Sequence, residues 1–132
     1  MPNTASFELL SRDRGSALRL ELLDADYFRA ELVGPDLRAQ VRVSSYLSHG
    51  LATLFADVGH HWPGWSGTKA WRSLEGELGI AADCDRTGHV TFAVRLQEGA
   101  PPIWSVTVEL VVEAGQLERL AQAAAAFVAS LA

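Results

Sequence analysis

Over residues 7–43 the chain alternates apolar and polar side chains with a period of two, the mark of half-buried strands. The alternation predicts strands at 7–10, 17–23, 27–33 and 37–43. In the last of these Leu37, Ala39, Val41 and Val43 oppose Arg38, Gln40 and Arg42. The links are polar or carry strong turn chemistry, as in Asp24, Ala25 and Asp26 or Gly34, Pro35 and Asp36. All three are too short for parallel crossovers, so the simplest arrangement is an antiparallel meander. The period then changes to 3.6. Leu47, Leu51, Leu54, Phe55 and Val58 fall on one helical stripe, with Ser44 or Ser45 as candidate caps and Gly59 and Pro63 as terminators.

Alternation returns at 69–83 and predicts one strand. Its even set is Ala70, Arg72, Leu74, Gly76, Leu78, Ile80 and Ala82, and its odd set is Lys69, Trp71, Ser73, Glu75, Glu77 and Asp83. Burying an unpaired carboxylate costs several kcal/mol, whereas burying Leu or Ile gains about 1.5 to 3 kcal/mol. The even set is therefore expected inward, leaving Trp71, Glu75 and Glu77 facing out. Strands follow at 90–96 and 103–112, with Leu78 expected opposite Val94 and Glu77 opposite Arg95. Trp104, Val106, Val108, Leu110 and Val112 make the most apolar face, which places Trp104 in the core.

A second helix at 116–131 carries Leu117, Leu120, Ala124, Phe127 or Val128, and Leu131 at helical spacing. Ala123, Ala125, Ala126 and Ala129 make its other sides apolar too, which predicts a homodimer contact along the segment from Gln116 to Ala132. The expected fold is α+β in a single domain, about seven antiparallel strands in one curved sheet or two packed sheets with two helices. Their order is four strands, helix, three strands, helix.

The stretch 65–78 reads W-S-G-T-K-A-W-R-S-L-E-G-E-L, and Gly88, His89 and Val90 follow it. Trp65, Gly67, Lys69, Trp71, Ser73, Leu74, Glu75, Gly76, Glu77 and Leu78 match a pattern W-x-G-x-[RK]-x-W-x-S-L-E-G-[DE]-L. On these residues the chain resembles a mostly actinobacterial family of small proteins, domain of unknown function 6228. The resemblance runs through Trp104 into the last helix and covers about the second half of the chain. Lys69 stands where arginine is commoner. The family is in turn distantly similar to WapI-type immunity proteins, so the resemblance implies a partner-binding, toxin-neutralising role and supplies no active site.

Composition narrows the classes. At 132 residues, with 48% apolar and 20% charged side chains, the chain suits one soluble core. Its net charge of -5 argues against nucleic acid and fits a basic protein partner such as a toxin domain. Cys84 is the sole cysteine, which excludes an internal disulfide and suits a reducing compartment. No basic-then-apolar leader or long apolar run stands out, so a cytoplasmic protein without membrane contact is expected.

Candidate chemistry is sparse. On one strand Glu75 and Glu77 would lie roughly 6 to 7 Å apart, within range for acid and base work. A solvated pair with Arg95 beside Glu77 explains them equally, and no catalytic residue or cofactor is expected. Asp57, His60 and His61 are weak metal candidates, since zinc wants three or four converging ligands and adjacent histidines diverge. Ser73 lies in no nucleophile elbow, and the acidic neighbours of Cys84 oppose a thiolate. Trp62, Trp65 and Trp71, ringed by Arg72, Glu75 and Glu77, form either core packing or a partner-binding hot spot. A non-enzymatic protein-binding module of immunity type is the leading expectation. The alternative is a small-molecule or metal-binding protein, or an enzyme, using a pocket lined by Trp62, Trp65, His60 and His61.

Overall fold

A computed structural model describes residues 5–131 apart from Arg14, Leu47, residues 61–64, Arg86 and Ala100. Its first four strands are β1 (Ser6–Leu10), β2 (Ala17–Leu22), β3 (Tyr27–Gly34) and β4 (Leu37–Ser44), followed by helix α1 (His49–His60). Four more follow, β5 (Lys69–Arg72), β6 (Leu78–Cys84), β7 (His89–Glu98) and β8 (Trp104–Glu113), then a short 3-10 turn at Ala114–Gln116 and helix α2 (Leu117–Ser130). They form two antiparallel sheets of four, ordered β1-β2-β3-β4 and β5-β6-β7-β8. The expected seven strands in a four, helix, three, helix order are thereby corrected. The chain is α+β, and each half is a four-stranded meander followed by a helix.

The miscount arises at 69–83, which is a hairpin and not one strand. β5 pairs with β6 through Trp71↔Ile80 and Arg72↔Gly79. Between them Ser73 N–H donates to the Leu78 carbonyl at 2.8 Å, and the Leu78 N–H returns to Ser73 Oγ at 3.1 Å. The same hydroxyl donates to Glu77 at 2.7 Å, so one small buried side chain closes the loop. Gly76 takes φ 78°, which a Cβ would oppose. The loop reverses parity. Odd residues before it and even residues after it face the core, because Trp71 and Ile80 are direct partners. Trp71 therefore points inward and half-buried, while Ala70, Arg72 and Leu74 lie exposed, against the even-inward assignment. A Cβ built on Gly50 of α1 would overlap the Trp71 indole, so the glycine is what lets the ring lie against the helix.

Elsewhere even residues of β6 do oppose even residues of β7, but Leu78 faces Leu96 and Val94 faces Ile80. Glu77 thus lies beyond the ladder, and its carbonyl accepts from Gln97 N–H at 3.0 Å instead of facing Arg95. Neither proposed cap serves α1. Ser44 ends β4, and Ser45 Oγ donates to the Ala25 carbonyl at 3.0 Å. Leu47 lies outside the described residues.

Both helices flank the sheets and bury one face each in the shared core. Leu51, Leu54, Phe55 and Val58 of α1 and Leu117, Leu120, Ala124, Phe127 and Val128 of α2 are buried. Phe55 bridges the two halves, 5.2 Å from Phe7 on β1 and 5.3 Å from Phe92 on β7. Phe28 on β3 meets Phe127 on α2 edge-on at 5.4 Å. Each meander therefore packs an aromatic ring on the helix that follows the other.

The sheets also join at one corner. Arg12 N–H donates to the Val111 carbonyl at 2.8 Å, and the Arg12 guanidinium donates to Glu113 at 3.1 Å and to His89 Nε2. With Nε2 accepting, the ring proton sits on Nδ1, 2.8 Å from Thr87 Oγ1. Beside it Asp85 receives the backbone N–H groups of His89 and Thr87, which hold its carboxyl down at about 2.

Candidate functional site

The residues singled out between Trp62 and Glu77 divide into two groups with different tasks. Trp65 and Trp71 belong to a clamp between α1 and the second sheet. Trp65 N–H donates to Cys84 Sγ at 3.3 Å, and the thiol donates back to the Trp65 carbonyl at 3.4 Å. The Lys69 ammonium lies 5.6 Å from the centre of the Trp65 ring and 2.9 Å from the Asp57 carboxylate. Lys69 thus ties the strand to α1, a task one ammonium performs without a planar fork. Trp62 and His61 lie outside the described residues.

This clamp uses Asp57 as an ion-pair partner. His60 is exposed at the end of α1. No group of three potential metal ligands occurs among the described residues.

Glu75 and Glu77 stand elsewhere, in the β5–β6 loop, and not side by side on a strand. With Gln97 and Gly99 they line a recess of about 400 Å³. It adjoins a cleft of about 660 Å³ whose walls include Leu23, Tyr27, Arg42, Glu98 and Trp104. The Arg42 guanidinium lies 4.4 Å above the Tyr27 ring, and Arg29 pairs with Glu21 at 3.4 Å, so the cations of the cleft are engaged. No ion pair neutralises Glu75, Glu77 or Glu98 among the described residues.

Trp104 is 37% exposed, contrary to its core assignment; it opens β8 opposite the exposed Glu98, at the end of the sheet. Ile103 beside it is 83% exposed and Leu74 next to Glu75 is 53% exposed. Arg72 lies on the outer face of the second sheet, in one cross-strand row with Gly79, Arg95 and Thr107. Sequence reasoning missed Leu74, Glu98, Ile103 and Trp104 as surface residues. The signal was their place beside turns, Leu74 within S-L-E-G-E and Ile103 and Trp104 directly after Pro101 and Pro102.

The fold and site define a small double-meander α+β protein with an acidic, aromatic-walled cleft. The chain belongs to a family of unknown function, DUF6228, which matches residues 10–130. No curated protein matches the sequence. No helix among the described residues is long and apolar enough to cross a membrane.

Proposed function

We propose that the chain is a non-enzymatic protein-binding module whose contact face is the cleft end, formed by the β5–β6 loop and the start of β8. One observation carries this reading. Leu74, Ile103 and Trp104 are exposed around a cleft whose carboxylates Glu75, Glu77 and Glu98 are not neutralised by ion pairs among the described residues. Large exposed apolar side chains rimmed by charge are the anatomy of a partner-binding patch. Within this class we place the chain among immunity-type proteins of a reducing, cytoplasmic compartment, with a basic toxin domain as partner. That finer reading draws on the WapI-type resemblance, the net charge of -5 and the single thiol.

Capture from host lysate tests the module, with the Trp104→Ala, Glu75→Ala double variant as the folded control. A stoichiometric partner held by the wild type and lost by the variant supports the face, and equal retention rejects it. Co-expression with the captured partner tests the immunity reading, which fails if that partner does not inhibit growth. Self-association through α2 is a second reading, favoured by exposed Ala125, Ala126 and Ala129. A monomer in light scattering at high protein concentration removes it.

A further inference from the structure

β8 ends its sheet, and one residue fixes the direction of its backbone groups. The Val111 carbonyl accepts from Arg12 N–H at 2.8 Å, and the Val111 N–H donates to the Ser11 hydroxyl at 3.0 Å. Residue 111 therefore points its backbone away from β7. The register with β7 runs without a bulge from His89↔Glu113 to Glu98↔Trp104. Backbone groups alternate sides along a strand, so Ser105, Thr107 and Glu109 also aim both N–H and C=O off the free edge. Among the described residues no backbone group meets them.

Natural edges are blunted by lysine, proline, bulges or short length. β8 is ten residues long, reads WSVTVELVVE, and has none of these. The Ser11 and Arg12 contacts occupy its second half, while its first half stays open. Along that open half Val106 and Val108 are only half-buried, Trp104 is exposed, and Ile103 precedes them. Charge is equally one-sided. Glu8, Glu21, Glu31 and Glu113 each have an arginine partner, whereas Glu98 and Glu109, which flank the open half, have none among the described residues.

We propose that the open half of β8, residues 104–109, takes up an extended segment of another protein as an added antiparallel strand, with apolar residues alternating with lysine or arginine. The inference rests on the protein-binding reading above and names the form of its partner. Backbone hydrogen bonds to Ser105, Thr107 and Glu109 supply the affinity, as in other strand additions. The apolar residues of the segment lie beside Trp104, Val106 and Val108, and its cations lie on the other face, beside Glu109.

A labelled nonapeptide alternating lysine and valine tests this by fluorescence anisotropy against the full chain. Saturable binding is expected, with a glutamate and valine peptide about ten-fold weaker or worse. N-methylation at the lysine residues removes the bonds facing β8 and is expected to abolish binding. Thr107→Pro deletes an N–H that the free chain does not use, so binding is lost while the melting temperature holds. Equal binding of the N-methylated peptide overturns the inference, and so does binding unaffected by Thr107→Pro in a folded variant. If binding survives Thr107→Pro and falls only with the Trp104→Ala, Glu75→Ala variant, the edge inference fails and the protein-binding reading stands. A dimer that Thr107→Pro dissolves identifies the occupant as a second copy and also overturns the proposal.

Discussion

The two halves of the molecule share a plan, four meandering strands and a helix, yet they finish their surfaces differently. On the outer face of the first sheet the charges are closed across strands, Arg19 on Glu8 at 2.7 Å, Arg29 on Glu21 at 3.4 Å and Arg38 on Glu31 at 2.8 Å. The second sheet has no arginine–glutamate pair between its own strands among the described residues. Its outer face carries a smooth row of Ala70, Ala81 and Ala93. Its first half of β8 is open at the edge and incompletely covered on the inner face. The difference teaches that the first half is finished as structure, while the second half leaves one edge and part of one face open.

The largest effect is expected from Phe55→Ala, which removes the ring that touches both sheets. It should cost about 3 to 5 kcal/mol in denaturant unfolding. The loss should come as one transition shared by both halves, and two separated transitions would show that the halves fold independently. Gly50→Ala should cost about 1 to 3 kcal/mol, because its Cβ overlaps the Trp71 indole. Combining it with Trp71→Leu should recover part of that loss, and failure to recover would separate the glycine from the clamp.

A sharper test of the surface contrast compares two glutamates. Glu31→Gln, which breaks a pair on a largely buried side chain, should cost about 1 kcal/mol. Glu109→Gln should stay within about 0.5 kcal/mol. Equal losses would erase the distinction between the faces.

The smallest effect concerns Asp85. Its folded carboxyl titrates at about 2 against an ordinary 3.8, so its contribution is present above about 3.8 and is lost as pH falls through 2. The stability difference between wild type and Asp85→Asn should therefore narrow between those values. A difference constant over that window would mean that the backbone donors of Thr87 and His89 do not act on its charge.

Much of the first half was legible because each of its strands is bounded by turn residues and covered on one face. Strands at 7–10 and 37–43 differ from Ser6–Leu10 and Leu37–Ser44 only at their ends. The second half misled where two hairpin arms run together through a loop whose residues keep the alternation going. Leu74 and Gly76 look like inward positions and are in fact loop residues. Arg72 on a supposed core face was the available warning, since a buried unpaired guanidinium is costly. Trp104 shows the other limit. Periodicity gives the side a residue faces, but not whether anything covers that side at the end of a long strand. For that reason Glu75 and Glu77 were recognised as surface carboxylates, while the cleft that joins them to Trp104 was invisible.

The exchange of aromatic partners between halves has a consequence for synthesis. Phe28 finds Phe127 only once α2 has been made, because its packing partner lies on that helix. The first meander leaving the ribosome has its strand pairs available, but part of its apolar face waits for α2. Contacts so distant in sequence slow folding and leave apolar surface open to aggregation. A chain truncated before α2 would stop in that state, with the inner ring of β3 uncovered.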